Sequence, residues 1–179
     1  MLFTVGHGTL EIDELTSLLS DASISGIIDV RSFPGSRRFP HFGREAMAVS
    51  LPAAGLTYEW RPDLGGRRKP NPGSVNVAWK NPSFQAYADH MMTAPFQSAL
   101  DGLIIDTSER NVAIMCSEAV WWRCHRRLIS DAAVLLREVE VNHLFHDGRL
   151  QPHPPTSEAR VDKTGVLIYD LGRTPPLAP

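Results

Sequence analysis

The sequence predicts an α/β fold, and two observations support the prediction. Short apolar, β-prone runs alternate with segments in which apolar residues recur at helical spacing, which is typical of βαβ units around a parallel sheet. The chain has 179 residues, enough for one domain with a full core and too few for two domains of ordinary size. We therefore expect a three-layer, Rossmann-like open sheet that is mainly parallel, with about five strands and helices on both faces.

The first part of the chain contains three predicted strands and two predicted helices. The strands are the β-prone runs 2–5, 27–30 and 56–60. Apolar residues recur at helical spacing from Ile12 to Ala22, and Thr9 is placed to cap that helix. A second helix is predicted over residues 44–54, closing on Gly55.

The alternation resumes after a long irregular segment. Residues 61–82 are rich in proline and glycine, which excludes regular structure, and a loop of this length is usually functional or disordered. Two helices follow, the first capped by Ser83 and the second opened by Thr93 and Pro95. The next predicted elements are a buried strand over 112–115, a helix over 124–136 and a fifth strand over 138–145.

The organisation of the chain is predicted to be one α/β domain, residues 1–150, and a Pro-rich C-terminal extension, residues 151–179. The extension either packs on the domain or trails from it, and residues 165–169 are its strand candidate. No apolar run approaches the roughly 18 residues that cross a bilayer, and no leader precedes the first strand, so we expect a cytoplasmic protein without membrane contact. The chain has two cysteines, too few for a disulfide framework.

Polar side chains follow three of the predicted strands. In open α/β sheets, ligands bind outside the carboxyl ends of the strands, where the strand order reverses. If the first and fourth strands are neighbours, as in the commonest doubly wound order, His7 and Cys116 face one crevice. The residues at these strand ends are His7, Asp29, Arg31, Cys116, Ser117 and Glu118. We expect Cys116, Glu118, His7 and Asp29 to be the catalytic candidates.

The segment from Cys116 to Arg126 has three interpretations, which the sequence leaves open. Cys116 is a candidate nucleophile with His7 or His125 as its base, because a strand-to-helix loop favours a thiolate. Cys116, Cys124 and His125 are a weaker metal-site candidate, because the seven-residue gap between the cysteines exceeds the usual ligand spacing. Simple packing is the third interpretation, since free cysteines are among the most buried residues.

Two cation-rich stretches suggest an anionic partner. Residues 31–44 mix arginines with aromatic residues, and a second cluster is formed by Arg61, Arg67, Arg68 and Lys69. Guanidinium groups suit phosphate and aromatic rings offer stacking surfaces, so these stretches favour a nucleotide or single-stranded nucleic acid as the partner. The alternative is a solvated loop anchored by phenylalanines. The candidates for substrate binding are Arg31, Arg37, Arg126, Ser117 and His125.

The chain resembles an uncharacterised family, the domain of unknown function 488. The most specific feature is Cys116-Ser117-Glu118 followed by Cys124-His125-Arg126, and the matching motifs together cover about residues 3–153. The family loop often has proline between its cysteines, where this chain has Val120-Trp121-Trp122. The other matching motifs include Thr4-Val5-Gly6-His7, Ile28-Asp29-Val30-Arg31, Ser36-Arg37 and Leu64-Gly65-Gly66. The resemblance implies an α/β fold and one site shared by these motifs.

The leading functional hypothesis is a small enzyme, a hydrolase or a transferase, that acts on a phosphate-bearing or nucleotide-like substrate at the strand ends. A nucleic-acid-binding or processing factor is the main rival, although a formal net charge of −2 lacks the basicity of a dedicated binder. A metal or thiol-redox module built on Cys116, Cys124 and His125 is the third hypothesis. No pattern in the sequence predicts a cofactor or an oligomeric state.

Overall fold

A computed structural model describes residues 1–35 and 37–171 of the protein. The α-helices are α1 (Ile12–Asp21), α2 (Arg44–Ala53), α3 (Pro82–Met91), α4 (Ala94–Glu109) and α5 (Arg126–Arg137). The strands are β1 (Leu2–Gly6), β2 (Gly26–Asp29), β3 (Thr57–Trp60), β4 (Val112–Cys116), β5 (Val141–Leu144), β6 (Leu150–Pro152), β7 (Ala159–Val161) and β8 (Leu167–Tyr169). Ser36, part of one family-like motif, and residues 172–179 of the predicted extension lie outside the described residues.

Six strands form one sheet in the order β3-β2-β4-β1-β5-β6. Neighbouring strands from β3 to β5 are parallel, and β6 runs antiparallel to β5. The predicted pairing of β1 with β4 is confirmed, and its register places Gly6 beside Cys116. Since β2, β4 and β1 are consecutive central strands and run parallel, their carboxyl ends lie side by side at the same end of the sheet.

Helices cover both faces of the sheet, which confirms the predicted three-layer, Rossmann-like α/β fold. Successive side chains of a strand point to opposite faces, so each buried strand contributes to two cores. Ile28 and Ile114 pack with the apolar residues of α3, α4 and α5. Ile27 and Met115, one position away, pack with those of α1 and α2.

Two predicted helix caps are wrong. The residue that caps α1 is Glu11. In a capping box, the Glu11 carboxylate accepts the backbone N–H of Glu14, and the Glu14 carboxylate accepts the backbone N–H of Glu11, so Thr9 takes no part. The cap of α3 is Asn81, whose side-chain oxygen accepts the N–H of Ser83 while Pro82 fills the first helical position. The α4 start after Thr93, with Pro95 in the first turn, is as predicted.

The start of α5 matters for the site, because it comes two residues later than predicted. His125 is the residue before the helix, so Cys124 lies in the preceding loop. The helix ends at Glu138 in the left-handed conformation, with φ of 55°, and this turn excludes residues 138–140 from the predicted fifth strand.

The segment after residue 149 adds strands to the fold. β6 extends the main sheet to six strands, one more than the approximate number expected from the alternation. β7 and β8 form an antiparallel pair, and Leu167 and Tyr169 are buried against the core formed with α3, α4 and α5. No helix within residues 1–35 and 37–171 is long and apolar enough to span a membrane.

Candidate functional site

A pocket of about 500 Å³ lies at the carboxyl edge of β1, β2 and β4. The loops that leave these strands supply most of its wall, and residues 66–67 and the start of α3 supply the rest. Seven of the sequence-predicted residues line this one pocket although they are far apart in the chain, namely His7, Arg31, Cys116, Ser117, Glu118, Cys124 and His125.

Cys116, Cys124 and His125 form a compact thiol–histidine cluster in the pocket wall. The Nε2–H of His125 donates to the Val30 carbonyl at 2.9 Å, and a carbonyl can only accept. In the neutral ring, Nδ1 therefore carries the lone pair. This nitrogen lies 3.5 Å from Cys124 Sγ and 3.9 Å from Cys116 Sγ. Both sulfurs thus have an imidazole acceptor within reach.

Two glycines permit the close packing around this cluster. A Cβ at Gly6 would overlap the carbonyl oxygen of Glu118, so the loop after β4 can fold over β1 only because position 6 has no side chain. A Cβ at Gly66 would lie 2.6 Å from His125 Nδ1, closer than real Cβ contacts allow. The family-like Gly65-Gly66 pair therefore brings backbone directly against the imidazole.

The two thiols differ in their tendency to ionise. A hydrogen bond to Cys124 and then burial raise the pKa of the Cys116 thiol. Burial opposes ionisation of Cys124, but the hydrogen bond from Cys116 and the nearby Arg126 outweigh it and lower the pKa of Cys124. Cys124, just before the N-terminus of α5, therefore ionises more readily than Cys116, the thiol that the sequence suggested as nucleophile.

Arg126 does not line the pocket, contrary to its predicted role in holding an anion. The side chain is only 1% exposed. Its Nη2 donates to the carbonyl of Glu118, and its Nη1 lies 3.5 Å from the hydroxyl of Thr4. Arg126 therefore supports the loop over β1 from beneath. Arg37, another of the three arginines predicted to bind substrate, is exposed and is not among the residues that line the pocket.

Asp29 and Arg31 form a buried ion pair behind the pocket. The guanidinium donates Nε–H to Asp29 Oδ1 at 2.9 Å and Nη2–H to Oδ2 at 2.6 Å. Tyr58 donates its hydroxyl to the same carboxylate at 2.8 Å, and Phe42 O accepts a further Arg31 hydrogen bond. Most Arg31 donors are thus used within the protein, and Asp29 neutralises its charge. Asp29 orients Arg31 and does not itself line the pocket.

His7 is a neutral imidazole in the pocket wall. Its ring stacks on Phe42 with centroids 4.1 Å apart, and Nδ1 lies 3.1 Å from the Gly8 carbonyl, to which it donates. Nε2 is then an acceptor, 3.4 Å from Arg31 Nη1. Burial and the charge of Arg31 lower the pKa of His7 to about 4. His7 is therefore unprotonated at neutral pH.

Two arginines that the sequence analysis did not select as site residues supply charge to the pocket. Arg67 and Arg123 line it, and within the described part of the chain neither forms a salt bridge. Arg67 lies over the ring of Phe33, which is 74% exposed. Phe39 and Phe84 add further aromatic surface. Arg67 belonged to a noted cationic cluster, and Arg123 precedes the second cysteine of the family-like motif.

A buried histidine chain, formed by Thr4, His143, His153 and Asp131, lies below the loop. Thr4 Oγ1 is 2.7 Å from His143 Nδ1, and His143 Nε2 is 2.9 Å from His153 Nδ1. His153 Nε2 donates to Asp131 at 2.9 Å. Trp121 of the loop stacks on His143 with centroids 4.1 Å apart, so the chain fixes the loop on the sheet.

The fold and the site together define an α/β protein with a thiol-containing, arginine-lined pocket at the carboxyl edge of its sheet. The family described as domain of unknown function DUF488 matches residues 11–133, more than half of the chain, and the protein belongs to this family. The resemblance drawn from the motifs is thereby confirmed. Neither the curated proteins nor the solved structures contain a significant match to the chain.

Proposed function

We propose that this protein is a small enzyme, a hydrolase or a transferase, that acts on a phosphate-bearing or nucleotide-like substrate in the pocket. One observation carries the proposal: Arg67 and Arg123, which have no carboxylate partner among the described residues, line the same pocket as the thiol–histidine cluster. A site that combines anion-binding groups with reactive ones is the usual arrangement for chemistry on an anionic substrate.

The arginines favour an anion for electrostatic reasons. Arg31 is neutralised by Asp29, whereas Arg67 and Arg123 keep their charge and their donors at the pocket. A guanidinium fork matches the oxygens of phosphate, and a hydrogen bond to a charged group contributes about 1.5–3 kcal/mol. Anion binding is therefore assigned to Arg67 and Arg123 in this proposal, with Arg31 as a partial contributor through Nη1.

The aromatic residues favour a substrate with a planar group. Phe33, Phe39 and Phe84 line the pocket beside the arginines. A volume of about 500 Å³ accommodates a mononucleotide-sized ligand. Ring stacking contributes about 1–3 kcal/mol per base where nucleic-acid bases meet aromatic side chains. Together these features favour a nucleotide-like molecule over a bare inorganic anion.

The reacting groups in this proposal belong to the pocket wall. The thiol–histidine cluster supplies sulfur and an imidazole lone pair, and Glu118 and neutral His7 supply acid–base groups at the same pocket. Each of these groups exchanges protons or electron pairs with a bound substrate in known enzyme sites. The pocket therefore contains the components of a hydrolytic or group-transfer reaction.

Isothermal titration calorimetry with inorganic phosphate, mononucleotides and a single-stranded RNA oligonucleotide tests the binding half of the proposal. Mononucleotides should bind, and Arg67→Gln or Arg123→Gln should each weaken binding by roughly tenfold, the loss of one charged hydrogen bond. Lys163→Gln is the matched control, because it removes an equal charge at an exposed position outside the pocket.

Three outcomes contradict the proposal. One is the absence of binding to any of these anions, and another is an equal loss of affinity in the Lys163→Gln control. The third is tight oligonucleotide binding that falls steeply with salt while mononucleotides do not bind, which favours the nucleic-acid-binding hypothesis. For the catalytic half, ³¹P NMR should detect conversion of a bound nucleotide by the wild type and not by Cys124→Ser.

A further inference from the structure

We propose that Cys116, Cys124 and His125 bind a zinc ion whose fourth coordination position opens into the pocket. The inference rests on the proposed function, because it names the metal that would act on the anionic substrate at that site. Among the described residues, these three form a group whose ligand atoms all lie within 4.8 Å of one another.

The ligand atoms are spaced for a tetrahedral zinc ion. Zinc–sulfur bonds of about 2.3 Å and zinc–nitrogen bonds of about 2.0 Å place neighbouring ligand atoms roughly 3.5–3.8 Å apart in a tetrahedron. His125 Nδ1 lies 3.5 Å from Cys124 Sγ and 3.9 Å from Cys116 Sγ. The three ligand atoms lie within 4.8 Å of one another, so side-chain adjustments of up to about 1 Å would bring both thiolates and the imidazole onto one ion.

The hydrogen bond of His125 to Val30 is the independent observation that points to a metal. Metal-binding histidines almost always donate their second ring nitrogen to a carbonyl or a carboxylate, which fixes the tautomer and turns the lone pair toward the ion. His125 Nε2 makes that bond at 2.9 Å. His7, the other pocket histidine, directs its free nitrogen at the cation of Arg31 and is not suited to bind a metal.

The two cysteines come from different elements, which explains their unusual spacing. Cys116 is the last residue of β4, and Cys124 precedes α5, so the intervening loop brings them together over Gly6. The seven-residue gap made a metal site the weaker interpretation of the sequence. In the folded protein the gap is no obstacle, because the loop returns to the same edge of the sheet.

The composition of the site indicates a catalytic rather than a structural zinc. Structural sites close with four protein ligands, whereas catalytic sites have three and keep one position for water or substrate. Within residues 1–35 and 37–171, no fourth histidine, cysteine or carboxylate completes the group. All three ligand residues line the pocket, so the open position faces a site for an anionic oxygen. Zinc there would act as a Lewis acid on that oxygen.

Cobalt substitution of the whole chain tests the site directly. The protein is stripped with a chelator under reducing conditions and titrated with Co²⁺, and then with Zn²⁺. We expect one metal per chain and a thiolate-to-cobalt charge-transfer band, which zinc abolishes by displacement. The chain has two cysteines, so zinc should protect both from a thiol reagent that labels two groups in the stripped protein.

Substitutions assign the ligands. Cys116→Ser, Cys124→Ser and His125→Gln should each weaken zinc binding by at least about 100-fold, more than the 10–100-fold typical of residues that only support a ligand. Lys163→Gln, which changes an exposed residue outside the group and the pocket, should bind zinc like the wild type. Far-UV circular dichroism identifies any variant that fails to fold, and the wild-type cobalt spectrum and thiol protection decide the proposal without the variants.

The outcomes separate this inference from the proposed function. Stripped protein that shows no charge-transfer band and keeps both thiols reactive in excess zinc overturns the zinc site. If that protein still binds nucleotides through Arg67 and Arg123, the proposed function stands alone. Zinc binding without affinity for any phosphate-bearing ligand overturns the proposed function and leaves the metal site.

Discussion

The buried histidine chain and the thiol–histidine cluster lie near the same loop, and they differ in the hydrogen-bond partners of their histidine ring nitrogens. In the buried histidine chain, every ring nitrogen of His143 and His153 has an oxygen or nitrogen partner within 3 Å. In the thiol–histidine cluster, the hydrogen-bonding neighbours of His125 Nδ1 among the described residues are two sulfurs, at 3.5 and 3.9 Å, in the wall of the pocket. In the buried histidine chain the protein itself supplies a strong hydrogen-bond partner to every ring nitrogen, and in the thiol–histidine cluster it does not.

The difference separates residues that hold the fold from residues that we propose act on a ligand. A buried polar network is stable when every donor and acceptor is satisfied. Asp131 meets that condition, because its carboxylate accepts hydrogen bonds from His153, from Tyr169 and from both the N–H and the hydroxyl of Thr156. An accessible lone pair beside two thiols instead remains available for a proton, a metal or a substrate.

Asp131→Asn should cause the largest change in stability. The carboxylate accepts from four donors, and an amide would direct its NH₂ group at some of them. We expect the free energy of unfolding in urea to fall by about 3–5 kcal/mol, as for a broken buried network. Asp101→Asn, at an exposed ion pair with Arg137, should cost less than about 1 kcal/mol. Equal losses in the two variants would contradict the comparison.

Acid should destabilise the protein through two buried histidines. Burial, His153 and Arg126 lower the pKa of His143 to about 2, and burial and Arg31 lower that of His7 to about 4. Between pH 6.5 and 4 the unfolded chain binds protons at these positions and the folded protein does not. The free energy of unfolding therefore keeps the full contribution of both histidines above pH 6.5. As the pH is lowered from 6.5 to 4, it decreases by about 1.4 kcal/mol per pH unit for each histidine.

Urea denaturation of the wild type and of His143→Gln across this pH range measures the effect. The variant should lose less stability with falling pH, by about 1.4 kcal/mol per pH unit, because it lacks one of the two histidines. Its stability at pH 7 is not the readout, since the substitution also disturbs the buried chain. Parallel pH profiles in wild type and variant would show that His143 is not kept neutral by the fold.

Cys116→Ser should cause the smallest change. The thiol lies at the end of β4 beside the pocket, so a serine hydroxyl there finds water or polar neighbours. We expect the metal-free protein to lose less than about 1 kcal/mol of unfolding free energy. Ala113→Ser is the control on the same strand, because it buries a hydroxyl in an apolar core and should cost about 1–3 kcal/mol. A larger loss for Cys116→Ser than for the control would assign Cys116 to packing.

The sequence predicted the α/β sheet and the strand ends at which the candidate pocket lies, because both follow from local patterns. The alternation of strands and helices implies parallel pairing, and the order of doubly wound sheets places β1 beside β4. His7, Arg31 and Cys116 therefore lie at the same end of the sheet, independently of how their side chains pack. The pattern did not predict which of Arg123 and Arg126 lines the pocket, because the answer depends on the residue at which α5 begins. Arg126, the first residue of the helix, is buried under the loop, while Arg123 precedes the helix and lines the pocket.

The buried histidine chain was not predicted at all, for a different reason. Its members come from β1, α5, β5 and the segment after β6, and the contact of Thr4 with His143 spans 139 residues of sequence. No local periodicity encodes such a contact. β6 and β7 were missed for the same cause, because three-residue strands are defined by their pairing partners rather than by their own composition.

The absence of a side chain at Gly6 limits how far the site could be transplanted. The loop from Ser117 to His125 carries the recognisable motif, but its backbone rests on β1 at a point where even one methyl group would overlap the carbonyl of Glu118. If the loop were grafted onto another parallel sheet, it would keep its sequence but not its backbone conformation unless the neighbouring strand also ended in glycine. The portable unit is thus the loop together with the strand beneath it.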